Sequence, residues 1–119
     1  MRSRRVPERL ADILQAIDNL RSDIGTLSQT EFIADGKTQR AVVESLIVIG
    51  EAANHIMRME PSLEATQPEL WLQLRDAYDM RIVLTHEYFR IDPALVWQTV
   101  QNDLPIFEHL LRHLPPCPA

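Results

Sequence analysis

From Thr38 to Met59 the chain reads as one helix whose apolar residues, Val42, Val43, Leu46, Ile47, Val48, Ile49, Ala52, Ala53, Ile56 and Met57, fill far more than one stripe. A surface helix buries one face and wets the other, so one this apolar needs neighbours on two sides. It is either the central helix of a bundle or a helix that serves both the core and a subunit interface. Elsewhere too the apolar residues recur at three and four rather than at two, and only three glycines, Gly25, Gly36 and Gly50, punctuate 119 residues. The fold class is therefore all-α: an up-and-down bundle of four long helices plus one short helix. A chain of this length holds one domain, residues 1–119, with the Pro-rich 115–119 as a frayed tail.

The other elements follow from spacing and punctuation. Val6, Leu10, Ile13, Leu14, Ile17, Leu20 and Ile24 line one face of a first helix, which Gly25 can stop by taking the left-handed conformation. Ser28 and Glu31 have capping-box spacing and open a short helix through Phe32 and Ile33, after which Asp35-Gly36 turns the chain. Pro61 ends the central helix. Thr66 and Glu69 repeat the capping-box spacing before a third long helix that carries Leu70, Trp71, Leu74, Ala77, Tyr78, Arg81 and Leu84. Asp92-Pro93 pairs an N-cap acid with proline at the first helical position and starts the last helix, with Val96, Val100, Leu104, Phe107, Leu111 and Leu114 as its stripe. Pro105 should kink that helix, because the amide it lacks would have bonded a carbonyl one turn earlier.

Charge and cysteine usage narrow the function classes. The formal net charge is -5, and between Arg75 and Asp92 three arginines (75, 81, 90) face four acids (76, 79, 87, 92), so no basic stripe fits a long nucleic acid. Any RNA contact must be local or assembled. The single cysteine, Cys117, cannot form an internal disulfide, which fits a reducing compartment. No apolar run approaches the ~18 residues that span a bilayer, and the basic start is followed by Glu8 and Arg9 instead of a signal-peptide core. The cytoplasm is the expected location, with no membrane contact.

Chemistry concentrates in Arg81-Ile82-Val83-Leu84-Thr85-His86-Glu87-Tyr88, where a strong cation, an imidazole and a phenol fall within one short run. Arginine can grip a phosphate in two places, and histidine exchanges a proton near neutrality, a combination suited to phosphodiester chemistry. Spacing works against a single-chain site. On one unbroken helix, five steps of roughly 100° separate Arg81 and His86 by about 140°. Either the helix frays at His86 or a second copy of the chain supplies the missing partner. The plainer alternative is an ion pair of Arg81 with Asp79 or Glu87 and a satisfied helix-end histidine. Arg81 also falls on or beside the buried edge of its helix, where an unpaired guanidinium is costly, so it pairs or faces a ligand cleft.

Glu51 and His55 stand four apart, a spacing two metal ligands could share. Without a third or fourth ligand they read as a polar strip or a hydrogen-bonded pair, and no metal or cofactor is expected. Gly50 lies inside the helix at a cost of about 1 kcal/mol, which marks a position where another backbone comes close, a packing contact beside the site.

Met80-Arg81, His86-Glu87-Tyr88-Phe89, Ile91-Asp92 and Val96-Trp97, preceded by Ile49-Gly50-Glu51-Ala52-Ala53, together resemble HEPN-domain proteins of the HepT toxin group. The likeness runs from the first helix to Leu114. It implies a helical homodimer in which the Arg, four residues, His motifs of both copies meet, and a metal-independent endoribonuclease toxin. By that resemblance His86 moves the proton of the attacking 2'-hydroxyl or of the leaving 5'-oxygen, and Arg81 stabilises the phosphoryl oxygens. It also implies a partner, a small nucleotidyltransferase antitoxin that adenylylates the tyrosine two residues after the histidine, here Tyr88. One position departs from the pattern: the motif usually carries a polar residue after the arginine, and this chain has Ile82. That departure leaves open a second function, a catalytically degenerate dimer that binds a partner.

Overall fold

The computed structural model describes residues 5–87 and 90–114. Helix α1 (Val6–Ile24) ends where Gly25 takes φ +56° and returns its amide to the Arg21 carbonyl. The expected capping box then opens α2 (Gln29–Ile33): Ser28 Oγ accepts the Glu31 amide at 3.2 Å, and Glu31 accepts the Ser28 amide at 2.9 Å. The Ser28 amide first, and the Ser28 hydroxyl after it, hold the Glu31 carboxyl below its usual range. Phe32 is fully buried from α2 and meets the Trp97 ring at 5.4 Å.

Helix α3 (Gly36–Met59) begins two residues before the position that spacing predicts, because Asp35 caps it by accepting from the Thr38 amide and hydroxyl. It is the central helix. Its buried residues, from Val42 to Ile56, pack against α1 on one side and α5 (Pro68–His86) on the other. A one-turn helix, α4 (Leu63–Thr66), precedes α5 and corrects one expectation. Thr66 caps nothing: its hydroxyl donates to the Ser62 carbonyl at 3.1 Å, since the chain is already helical there, and Gln67 is the residue that enters α5.

Asp92 accepts from the Ala94 amide at 2.9 Å and starts α6 (Pro93–Gln98). The kink expected at Pro105 appears as a wider π-helical turn, Thr99–Asp103, which leads into α7 (Leu104–Arg112). A turn that spaces its bonds at five residues accommodates a proline that cannot donate at four. Helix α7 packs on α5 and α1 and so completes the bundle. Glu108 fastens it, pairing with Arg21 of α1 at 2.7 Å and Arg112 at 2.9 Å. Burial pushes the Glu108 carboxyl up, but those two guanidinium groups outweigh it and hold the carboxyl below its usual range.

The described residues thus form an all-α bundle: α1, α3, α5 and the α6–α7 unit are the four long members, and α2 and α4 are short. Among the described residues no helix is long and apolar enough to cross a membrane.

Candidate active site

Helix α5 carries both Arg81 and His86, and it does not fray before the histidine. His86 is its last residue, and Glu87 caps it by donating its amide to the Val83 carbonyl at 2.8 Å. The two side chains therefore leave one continuous helix about 140° apart. His86 is exposed, whereas Arg81 is half-buried, with 31% of its side chain accessible. Thr85 caps this stretch from outside, its hydroxyl donating to the Arg81 carbonyl at 3.0 Å and the Ile82 carbonyl at 3.1 Å. Tyr88 lies outside the described residues.

The partner of Arg81 is neither of the acids nearest in sequence. Asp79 and Glu87 stand two back and six ahead, about 200° and 240° round the helix, and so face away. Glu51 of α3 pairs with Arg81 instead, Oε2 to Nε, at 2.7 Å. The Nε–H is sealed from solvent and does not aim at that oxygen, so charge and distance define the contact, not an aligned hydrogen bond. The second carboxylate oxygen of Glu51 contacts His55 Nε2 at 3.2 Å. Glu51 and His55 are thus the hydrogen-bonded pair that their spacing allows. Among the described residues no three His, Cys, Asp or Glu side chains gather as metal ligands would.

Gly50 explains how α3 comes this close. A Cβ there would stand 2.4 Å from the Arg81 Cβ and 2.7 Å from the Ala77 carbonyl oxygen, both impossible distances for a real methyl. The glycine is the close approach expected of it, and it lies directly beneath the arginine. Gly50→Ala gains about 1 kcal/mol of helix propensity but must push α3 off α5, a rearrangement worth up to ~3 kcal/mol. The expected net loss is about 2 kcal/mol, seen as a melting temperature lower by roughly 5–10 °C in thermal unfolding followed by circular dichroism. An unchanged or raised melting temperature would show that the helices part freely there.

The helices that hold these residues also leave apolar surface uncovered. Val48 of α3 is 44% exposed and Val83 of α5 is 46% exposed.

A family model described as "Ribonuclease HepT-like" matches residues 13–114. A Thermococcus cleftensis protein named "Probable ribonuclease HepT" is 35% identical over 97 residues, 81% of this chain and 83% of its own length. A Caldanaerobacter subterraneus subsp. tengcongensis protein named "Putative RNase" is 29% identical over 105 residues, covering 88% of this chain and 89% of the relative. A Methanocaldococcus jannaschii protein, also named "Putative RNase", is 30% identical over 105 residues, covering 88% and 92% respectively. No solved structure matches the chain.

Proposed function

The chain belongs to the ribonuclease HepT-like family, and from that premise we propose that it is a metal-independent endoribonuclease acting as the toxin of a toxin–antitoxin pair. Two copies form the site, and a partner nucleotidyltransferase silences it by adenylylating Tyr88. In the reaction the ribose 2'-hydroxyl attacks the adjacent phosphorus, the bond to the 5'-oxygen breaks, and a 2',3'-cyclic phosphate remains. His86 takes the hydroxyl proton or delivers one to the leaving oxygen, and Arg81 neutralises charge that builds on the phosphoryl oxygens.

The observation that carries this proposal is the continuity of α5 through His86. One copy turns the two side chains to different faces of the helix, whereas two copies placed around a common cleft would bring an arginine and a histidine to one phosphate. Exposed Val48 and Val83 support the same arrangement, since they sit on the two helices that hold the site. Light scattering at micromolar concentration is expected to give about twice the chain mass of 13.7 kDa. A value near 13.7 kDa would remove the shared cleft.

Ile82 favours a second reading, a degenerate dimer that binds its partner without cutting RNA, because the usual polar neighbour of the arginine is missing. Purified protein incubated with diverse RNAs in EDTA separates the two. Cleavage to cyclic-phosphate ends is expected, and a stable dimer with no cleavage would leave the binding module standing.

A further inference from the structure

We propose that Glu51 is a positioning residue for Arg81, holding its guanidinium in place so that the opposite edge of the group faces the scissile phosphate. This rests on the reading of Arg81 as the phosphate-facing cation. Two contacts from α3 fix the arginine at separate points. Gly50 sets the root, since α3 lies where a Cβ would touch the Arg81 Cβ. Glu51 sets the head, with its Oε2 at 2.7 Å from Nε. Glu51 is steadied in turn by His55, one turn along the same helix, at 3.2 Å.

Arginine has a long side chain with much rotational freedom, and a catalytic charge that must first be ordered loses part of its effect in the transition state. A carboxylate on Nε restricts the group before substrate arrives. Among the described residues Glu51 is the one partner of this guanidinium, which leaves both terminal amines for the two-pronged grip that arginine makes on phosphate. The same carboxylate repels substrate phosphate, so its removal should not weaken ground-state binding. That gives the proposal a kinetic signature distinct from a structural role.

Glu51 is 43% exposed, so truncating it leaves no cavity and the variant should fold. Glu51→Ala is expected to lower kcat by ~10- to 100-fold with KM unchanged or reduced. In an Arg81→Ala background the same change should have no further effect, because Glu51 acts through the arginine. Independently of activity, the Arg81 Nε–H resonance, assigned by its loss in Arg81→Lys, should be rigid in the intact protein and mobile in Glu51→Ala. Glu51→Gln, which keeps the shape and loses the charge, should lie between the two in both measurements. Wild-type kcat in Glu51→Ala, an additive double variant, or an Arg81 resonance already mobile in the wild type would each overturn the proposal. A wild-type protein that cuts no RNA would remove the catalytic role of Arg81 and this positioning role with it. The rigid resonance would then stand as a structural ion pair alone.

Discussion

His86→Ala and Arg81→Ala are each expected to lower the rate of RNA cleavage in EDTA by about 100-fold or more, since a positioned proton donor or a positioned charge on the transition state is commonly worth that much. Neither change should unfold the protein. His86 is exposed at the end of α5, and Glu51, left without its cation, is itself 43% exposed, so water replaces the lost partner at little cost. The two variants are then informative together. If a cleft needs an arginine and a histidine from different copies, mixing the inactive proteins and allowing exchange restores part of the activity, because mixed dimers retain one of each around the cleft. Equal rates in the wild type and both variants would assign the cleavage to a contaminant, and no recovery on mixing would place both groups on one copy.

Adenylylation of Tyr88 is expected to abolish cleavage. The tyrosine oxygen would displace pyrophosphate from ATP, leaving a negatively charged phosphodiester and a bulky nucleoside two residues beyond His86. That anion would claim the cation meant for substrate and cover the entrance. Incubation with the cognate nucleotidyltransferase, ATP and magnesium should add adenylyl mass to Tyr88 by mass spectrometry and remove activity. Tyr88→Phe should still cleave but escape silencing. Intact protein with no added mass, or mass at another residue only, would take Tyr88 out of the regulation and leave Arg81 and His86 in place.

Helix positions were legible because each depends on neighbours in sequence. Gly25, the Ser28–Glu31 box, Asp92 and the three-and-four spacing act within one turn, and all appear in the fold as read. Thr66 failed as a cap for the same local reason in reverse: residues 63–66 already form a turn, and that turn claims its hydroxyl. The site was legible only in part. The close approach at Gly50 could be expected from one glycine in an apolar helix, but nothing near Arg81 in sequence points to Glu51, thirty residues away. Their meeting is a product of how α3 packs on α5. Sequence offered Asp79 and Glu87 because they are near, whereas helix geometry turns both away.

The widened turn at Thr99–Asp103 changes what length means for the last helix. Val96, Val100 and Leu104 follow one another at four residues, and in an ordinary α-helix each such step overshoots by about 40°, so the row would drift roughly 80° off the core. All three are nonetheless buried, as are Phe107 and Leu111 beyond them. The π turn absorbs the drift by accommodating one residue more than a regular helix would need. A chain shorter by one residue, lost from the exposed run Gln101 to Asp103, would regain the stripe with a plain helix only by setting Pro105 in a regular turn, where its ring meets the carbonyl four residues back. The extra residue therefore serves the stripe and the proline at once, so the length of this stretch is as constrained as the shape of the chain where Gly50 meets Arg81.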